Sequence, residues 1–239
     1  MCKNSNEKIA KTINNTIDMI LTLFFALLLL FGIYVMYDTI YVYQGNANNK
    51  AIIFKPNETN TTNLQDLSEN VIAWITIDNT PIDYPIMQGK TNEEYLNKNP
   101  FDEYSLAGSI FLDSDNKRDL SDAYNIIYGH HMENKHMFGC LDNFLDETYF
   151  NEHRDGTITL TDNTKYKLKT FAIEEVEAYN AQIFSTKEND NRLDFIKEKA
   201  KIFYTDIDPT EKIVALTTCK TTSGTGRIAL LCWLIPEND

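Results

Sequence analysis

Ile213-Val214-Ala215-Leu216-Thr217-Thr218-Cys219 is a short apolar run that turns polar toward its end and stops on a thiol. A second run, Ile228 to Ile235, starts directly behind Arg227, eight residues after the cysteine. Runs of this length bounded by Thr, Ser and Gly predict two strands, and an antiparallel pairing of the two brings the arginine toward the cysteine. Far upstream, Tyr124 to Tyr128 is another apolar segment, closed by Gly129-His130. A thiol, an imidazole and a guanidinium, each at a predicted strand end, are the parts that cysteine-based acyl transfer requires.

Working outward, strand signals recur. Val71 to Ile77 and Ile82 to Met87 flank the turn Asp78-Asn79-Thr80-Pro81. Ser109 to Leu112 is a further short run. Thr157 to Leu160 and Lys165 to Ala172 flank Thr161-Asp162-Asn163-Thr164, a hairpin pattern with alternation in Tyr166-Lys167-Leu168-Lys169. Leu64 to Leu67 suits a short helix. Leu193, Ile196, Ala200 and Phe203 recur at helical spacing among Lys and Glu, which predicts an amphipathic helix over 193–203. The sum is a mostly β domain with short helices, arranged as a closed or nearly closed barrel.

The N-terminal part is different. Met19 to Tyr37 holds no charged residue, and nineteen helical residues span roughly 28 Å, the thickness of a bilayer's hydrocarbon. A core helix is rarely apolar on every face, and no small-x-small cleavage site follows, so the segment reads as an uncleaved anchor. Lys3, Lys8 and Lys11 precede it and the next basic residue is Lys50, which predicts a cytoplasmic N-terminus and an extracellular domain. The expected layout is a cytoplasmic 1–18, a span over 19–37, an Asn- and Thr-rich spacer over 38–63, and the domain over 64–239. The net charge of −13 is uneven: residues 1–50 carry four lysines against three carboxylates, leaving −14 on the rest. Phosphate backbones would be repelled, so nucleic acid is excluded as a partner.

The four cysteines are Cys2, Cys140, Cys219 and Cys232. Three lie beyond the anchor, so at least one exported thiol is unpaired within the chain; a Cys140–Cys232 bridge stays open. A free cysteine is usually a small core residue. Polar neighbours on both sides of Cys219, and Arg227 among only four arginines, argue for chemistry instead. His130-His131-x4-His136-x3-Cys140 lacks the paired spacing of structural zinc sites, and Asp113-x-Asp115-x-Lys117 has a lysine where a calcium loop needs an acceptor. No metal is expected.

Tyr128-Gly129-His130, Leu216-Thr217-Thr218-Cys219 and Arg227, in this order behind an anchor, resemble the sortases of Gram-positive bacteria. Val71 to Ile77, Ile82 to Lys90, Tyr95-Leu96-Asn97, Gly108 to Asp113 and His130-His131-Met132 with Met137-Phe138 are similar to class B in particular, and the likeness runs from about Leu64 to the end. The 193–203 helix falls where class B sortases carry an extra helix. The resemblance implies an eight-stranded sortase barrel behind a single N-terminal transmembrane helix, and a cell-membrane transpeptidase without a cofactor. It implies Cys219 as nucleophile, His130 as general acid and base, Arg227 as oxyanion and backbone partner, and Thr217 and Thr218 in substrate binding. The implied partners are the sorting-signal peptide of an exported protein and an amine of a peptidoglycan precursor.

The chain also departs from the class. Thr217-Thr218-Cys219 stands where Ser-Thr-Cys is common, and Lys220 to Gly226 lacks the usual aromatic and acidic residues. The lack of a lid segment or a second anchor favours wall anchoring over pilin polymerisation. A cysteine peptidase using water, or a non-catalytic binding module on a degenerate barrel, are the competing expectations.

Overall fold

The computed structural model describes residues 2–43, 50–56, 63–132, 135–205, 212–219 and 226–237. Two compact units result, Met1–Gln44 and Gly45–Asp239. The first is one helix, α1 (Cys2–Tyr43), which continues past the predicted span at both ends. Its stretch Lys11–Ile40 is long and apolar enough to cross a membrane. The hydroxyls of Thr16, Thr22 and Thr39 donate back to the carbonyls of Thr12, Asp18 and Val35, so these side chains carry their own acceptors. The expected spacer falls partly outside the described residues.

The second unit is a closed eight-stranded barrel of mixed sense. Its strands are β1 (Val71–Ile77), β2 (Asp83–Met87), β3 (Ile110–Leu112), β4 (Tyr124–Tyr128), β5 (Asp155–Leu160), β6 (Lys165–Glu177), β8 (Lys212–Cys219) and β9 (Gly226–Pro236). They run in the order β5-β1-β2-β3-β4-β8-β9-β6, and β6 closes the ring on β5. The two-residue β7 (Ile202–Phe203) adds to the free part of β6. Among the described residues only β2–β3 and β4–β8 pair in parallel. Such pairs cannot be joined by a tight turn, so a long stretch of chain separates the two strands of each pair.

Inward residues of every strand form the main core, with Phe144 and Phe150 filling it from below. These two come from a 3-10 helix (Gly139–Leu145) and from α2 (Glu147–Glu152). A second cluster lies on the outer face of β4, β8, β9 and β6, covered by α3 (Ala181–Phe184) and α4 (Arg192–Lys199). The helix expected over 193–203 ends at Lys199. Ala200 turns extended, the amide of Lys201 donates to Ile173 and that of Tyr204 to Phe171, so the open edge of β6 takes these residues from the helix.

Arg192 ties this cover down. It is 5% exposed; its Nε donates to the Gln182 carbonyl at 2.7 Å, and its Nη2 to the carbonyls of Ser185 at 2.6 Å and Lys187 at 2.9 Å. Its guanidinium lies 3.7 Å over the ring of Tyr124, whose hydroxyl donates to the Ile183 carbonyl at 3.0 Å. Beneath the cover, Glu174 shares the outer face of β6 with Ala172 and Val176. It is 1% exposed, neither carboxylate oxygen has a hydrogen-bond partner among the described residues, and burial pushes its pKa up to about 7.

Lysine cannot serve three carbonyls in one plane, so Arg192→Lys is expected to cost about 2–3 kcal/mol and to speed proteolysis within 178–199, read by thermal melting and limited digestion. Glu174 keeps its proton in the folded state to a higher pH than in the unfolded chain. Stability contributed by the neutral form is therefore full below the ordinary carboxyl pKa and is lost as pH rises through about 7. Glu174→Gln is expected to flatten the fall in melting temperature between pH 5 and pH 8.

Candidate active site

Cys219 is the last residue of β8 and stands opposite Arg227, the second residue of β9, in the antiparallel register. The short separation in sequence becomes direct cross-strand pairing in the antiparallel register of β8 with β9. Lys220 to Thr225, the segment whose composition departs from class B, lies outside the described residues. Arg227 is partly buried, and its Nη1 donates to the Gly226 carbonyl at 3.4 Å, a weak hold.

His130 enters from the neighbouring strand. β4 runs parallel to β8, with Tyr128 opposite Thr217, and the amide of Gly129 extends the ladder by donating to the Thr217 carbonyl at 3.1 Å. A Cβ on Gly129 would sit 2.5 Å from Ile110 Cδ1 and 2.7 Å from Phe138 Cδ2, so glycine alone lets β4 pass this point undisturbed. The His130 imidazole then turns to the β2–β3 connection, where Nε2 lies 2.7 Å from the Leu96 carbonyl. A carbonyl only accepts, so Nε2 carries a proton and Nδ1 is the nitrogen left for proton exchange. Gly108 makes this approach possible: at φ 60° its missing Cβ leaves room for the carbonyls of Tyr95 and Leu96 and for His130 Cδ2.

His130, Arg227, Thr217 and Thr218 line one groove of about 480 Å³, together with Tyr128, Leu96 and Phe184. A second depression of about 420 Å³, beside Asp122 and Arg192, contains none of the predicted residues. Thr217 and Thr218 are 1% and 2% exposed, at the groove floor. The Thr217 hydroxyl donates to the Ile127 carbonyl at 3.3 Å and so ties β8 to β4. Asp113, absent from the sequence expectations as a site residue, organises one wall: its Oδ2 accepts from Tyr128 Oη and Asn92 Nδ2, both at 2.9 Å. Burial first, and then the Asp113 charge, hold the Tyr128 phenol far above its ordinary pKa, so it remains a donor. A charged residue directly after an apolar strand was the available signal.

The remaining histidines and cysteines separate from this site. His131 turns away, its Nε2 lying 2.9 Å from Asp142 Oδ2, and Lys135 Nζ reaches the same oxygen at 3.1 Å. His153 stacks on Tyr149 with centroids 3.9 Å apart. Cys140 and Cys232 are free and buried, so no bridge joins them. Burial raises the Cys140 thiol to about 12 and that of Cys232 higher still, which suppresses both thiolates. Among the described residues, no group of three or more His, Cys, Asp or Glu side chains is arranged to hold a metal ion.

Comparison with known proteins places this arrangement. The sortase domain model matches residues 75–233. Sortase B of Staphylococcus aureus is 32% identical over 165 residues, a match covering 66% of each chain, slightly under two thirds of the relative's length. A Streptococcus pyogenes class B sortase involved in pilus biogenesis superposes with a TM-score of 0.66 at 36% identity, over 72% of this chain and 95% of the other. The S. aureus sortase B–substrate complex gives 0.67 at 28% identity, over 73% and 84%. The barrel, its groove and these likenesses together make the chain a member of the sortase family, whose homologues are cysteine transpeptidases, and within it of class B.

Proposed function

We propose that this protein is a membrane-anchored transpeptidase that joins exported proteins to the cell wall. The observation that carries the reading is the Cys219–Arg227 register pair beside a groove that His130 also lines. The Cys219 thiolate attacks a carbonyl of the sorting signal, and Arg227 donates hydrogen bonds to the oxygen that gains the negative charge. As the tetrahedral adduct collapses, the C–N bond breaks and His130 Nδ1 gives its proton to the departing amine. A thioester remains. An amine of a peptidoglycan precursor then attacks it, His130 takes up the released proton, and the thiolate leaves with the new amide formed. The thioester keeps the acyl group activated, so the exchange needs no ATP.

The solved complex of a relative with its substrate supports the peptide as first partner. The length and apolar character of α1 support a single membrane span, and the lysines before it support a cytoplasmic N-terminus. The likeness to a sortase involved in pilus biogenesis favours a second reading, in which the acceptor amine belongs to a pilin subunit.

Intact-mass spectrometry on the full-length protein with a panel of sorting-signal peptides tests the scheme. An adduct at Cys219 that an added amine releases as a peptide–amine product is expected, and Cys219→Ala should form none. A product formed by Cys219→Ala would remove the thiol from the mechanism. Arg227→Lys is expected to lower kcat/KM about 10²-fold, because a point charge cannot copy the guanidinium fork. His130→Ala should lose about 10²-fold or more while His131→Ala stays within a few-fold, since His131 serves Asp142 rather than the groove. Comparable losses in both would overturn the assignment to His130.

A further inference from the structure

Two cross-strand rows run over the outer face of the barrel at the groove. One joins Cys219 to Arg227 to Val176; the next joins Tyr128 to Thr217 to Ala229 to Glu174. Glu174 therefore stands diagonally next to Arg227 on the same face of the β6–β9 pair. Diagonal positions of an antiparallel pair lie about 7–8 Å apart at Cα, within reach of a long side chain.

The two residues have complementary deficits. Glu174 is buried with neither carboxylate oxygen partnered among the described residues. Its charged form is costly there, and burial raises its pKa to about 7. Arg227 makes a 3.4 Å hydrogen bond to the Gly226 carbonyl and acts by its charge on the neighbouring Tyr128 phenol, and among the described residues it has no carboxylate ion pair. Other charged or titratable groups around Glu174 do not compete for it. β4 presents the phenols of Tyr124 and Tyr128, and β8 the position of Cys219. α3 and β7 carry no charged residue, and Arg192 of α4 is occupied by three carbonyls and the Tyr124 ring. Glu175 and Glu177 are exposed on the opposite face of β6.

We propose that Glu174 is a positioning residue for Arg227: as a neutral acid it leaves the guanidinium at the groove, and as a carboxylate it takes the guanidinium as counter-ion and draws it away from Cys219. The proton lost from Glu174 goes to solvent, and no bond is made or broken. The inference rests on the roles proposed above for Cys219 and Arg227, and adds a pH-dependent control on them.

Alkylation of Cys219 by iodoacetamide across pH tests it without any substrate, on the full-length protein in detergent, with the adduct at Cys219 quantified by mass spectrometry. Arg227→Gln alone should raise the apparent pKa of the thiol; no change would show that the cation does not act on the thiolate and would overturn this inference, while the oxyanion role is judged separately by the turnover of Arg227→Lys. Glu174→Gln should lower that pKa by about half a unit or more, because the cation then stays beside the thiolate at every pH. In the Arg227→Gln background the same substitution should have no effect. An unchanged profile in Glu174→Gln, or an equal shift with and without Arg227, would overturn the proposal, the latter because the carboxylate would be acting on the thiol directly. Glu174→Met, which removes the charge by an apolar route, should reproduce the glutamine result, and thermal melting verifies that each variant is folded.

Discussion

Two parallel strands cannot be linked by a hairpin, because the chain must return the length of a strand before it can run in the same direction again. This barrel has two such pairs, β2–β3 and β4–β8, and the groove depends on both. The first return path carries Asn92 and Leu96, and the second begins with Gly129 and His130. Two connections that topology requires thus become a wall of the groove and the source of its imidazole. The antiparallel β8–β9 pair supplies the opposite need, a close pairing of Cys219 with Arg227 fixed by backbone register.

Precision in the groove comes from hydrogen bonds that hold its lining in place. Asp113 sets Tyr128 and Asn92 through one oxygen, Leu96 sets the tautomer of His130 through its carbonyl, and Thr217 ties the floor together. Arg192 does the same for the third wall by fastening the cover that presents Phe184. Each link joins segments distant in sequence, so the groove is only as well formed as the barrel is closed. Arg227 is held less firmly than these, among the described residues by a single 3.4 Å hydrogen bond to the Gly226 carbonyl.

The apolar runs that decide the architecture were legible from the sequence. Val71–Ile77 and Tyr124–Tyr128 are strands over the same residues that their pattern marks, and Cys219 ends β8 as its polar neighbours suggest. Local irregularity hid the rest. A register shift between Thr170 and Ala172 puts Phe171 and Ala172 both toward the outer cluster, which breaks the alternation and conceals that β6 continues to Glu177. The 3-10 helix Gly139–Leu145 and the four-residue α3 are too short for a helical period to emerge. Phe203 matched a helical spacing that the edge of β6 overrode. Glu174 was invisible for another reason: in Glu174-Glu175 two adjacent carboxylates read as a solvated face, and only strand phase shows that one of them is buried.

Ring closure also governs how these molecules meet one another. A strand with an unpaired side is a template on which a neighbour's strand can grow, and open sheets need charges, prolines or bulges to discourage it. In this barrel every main strand has a partner on both sides, and β7, two residues long, is the sheet's outermost strand among the described residues. A surface carrying an excess of fourteen negative charges beyond residue 50 adds mutual repulsion. Crowded side by side, copies of this domain have almost no backbone to offer each other, which favours well-separated, independently working molecules over β-linked aggregates.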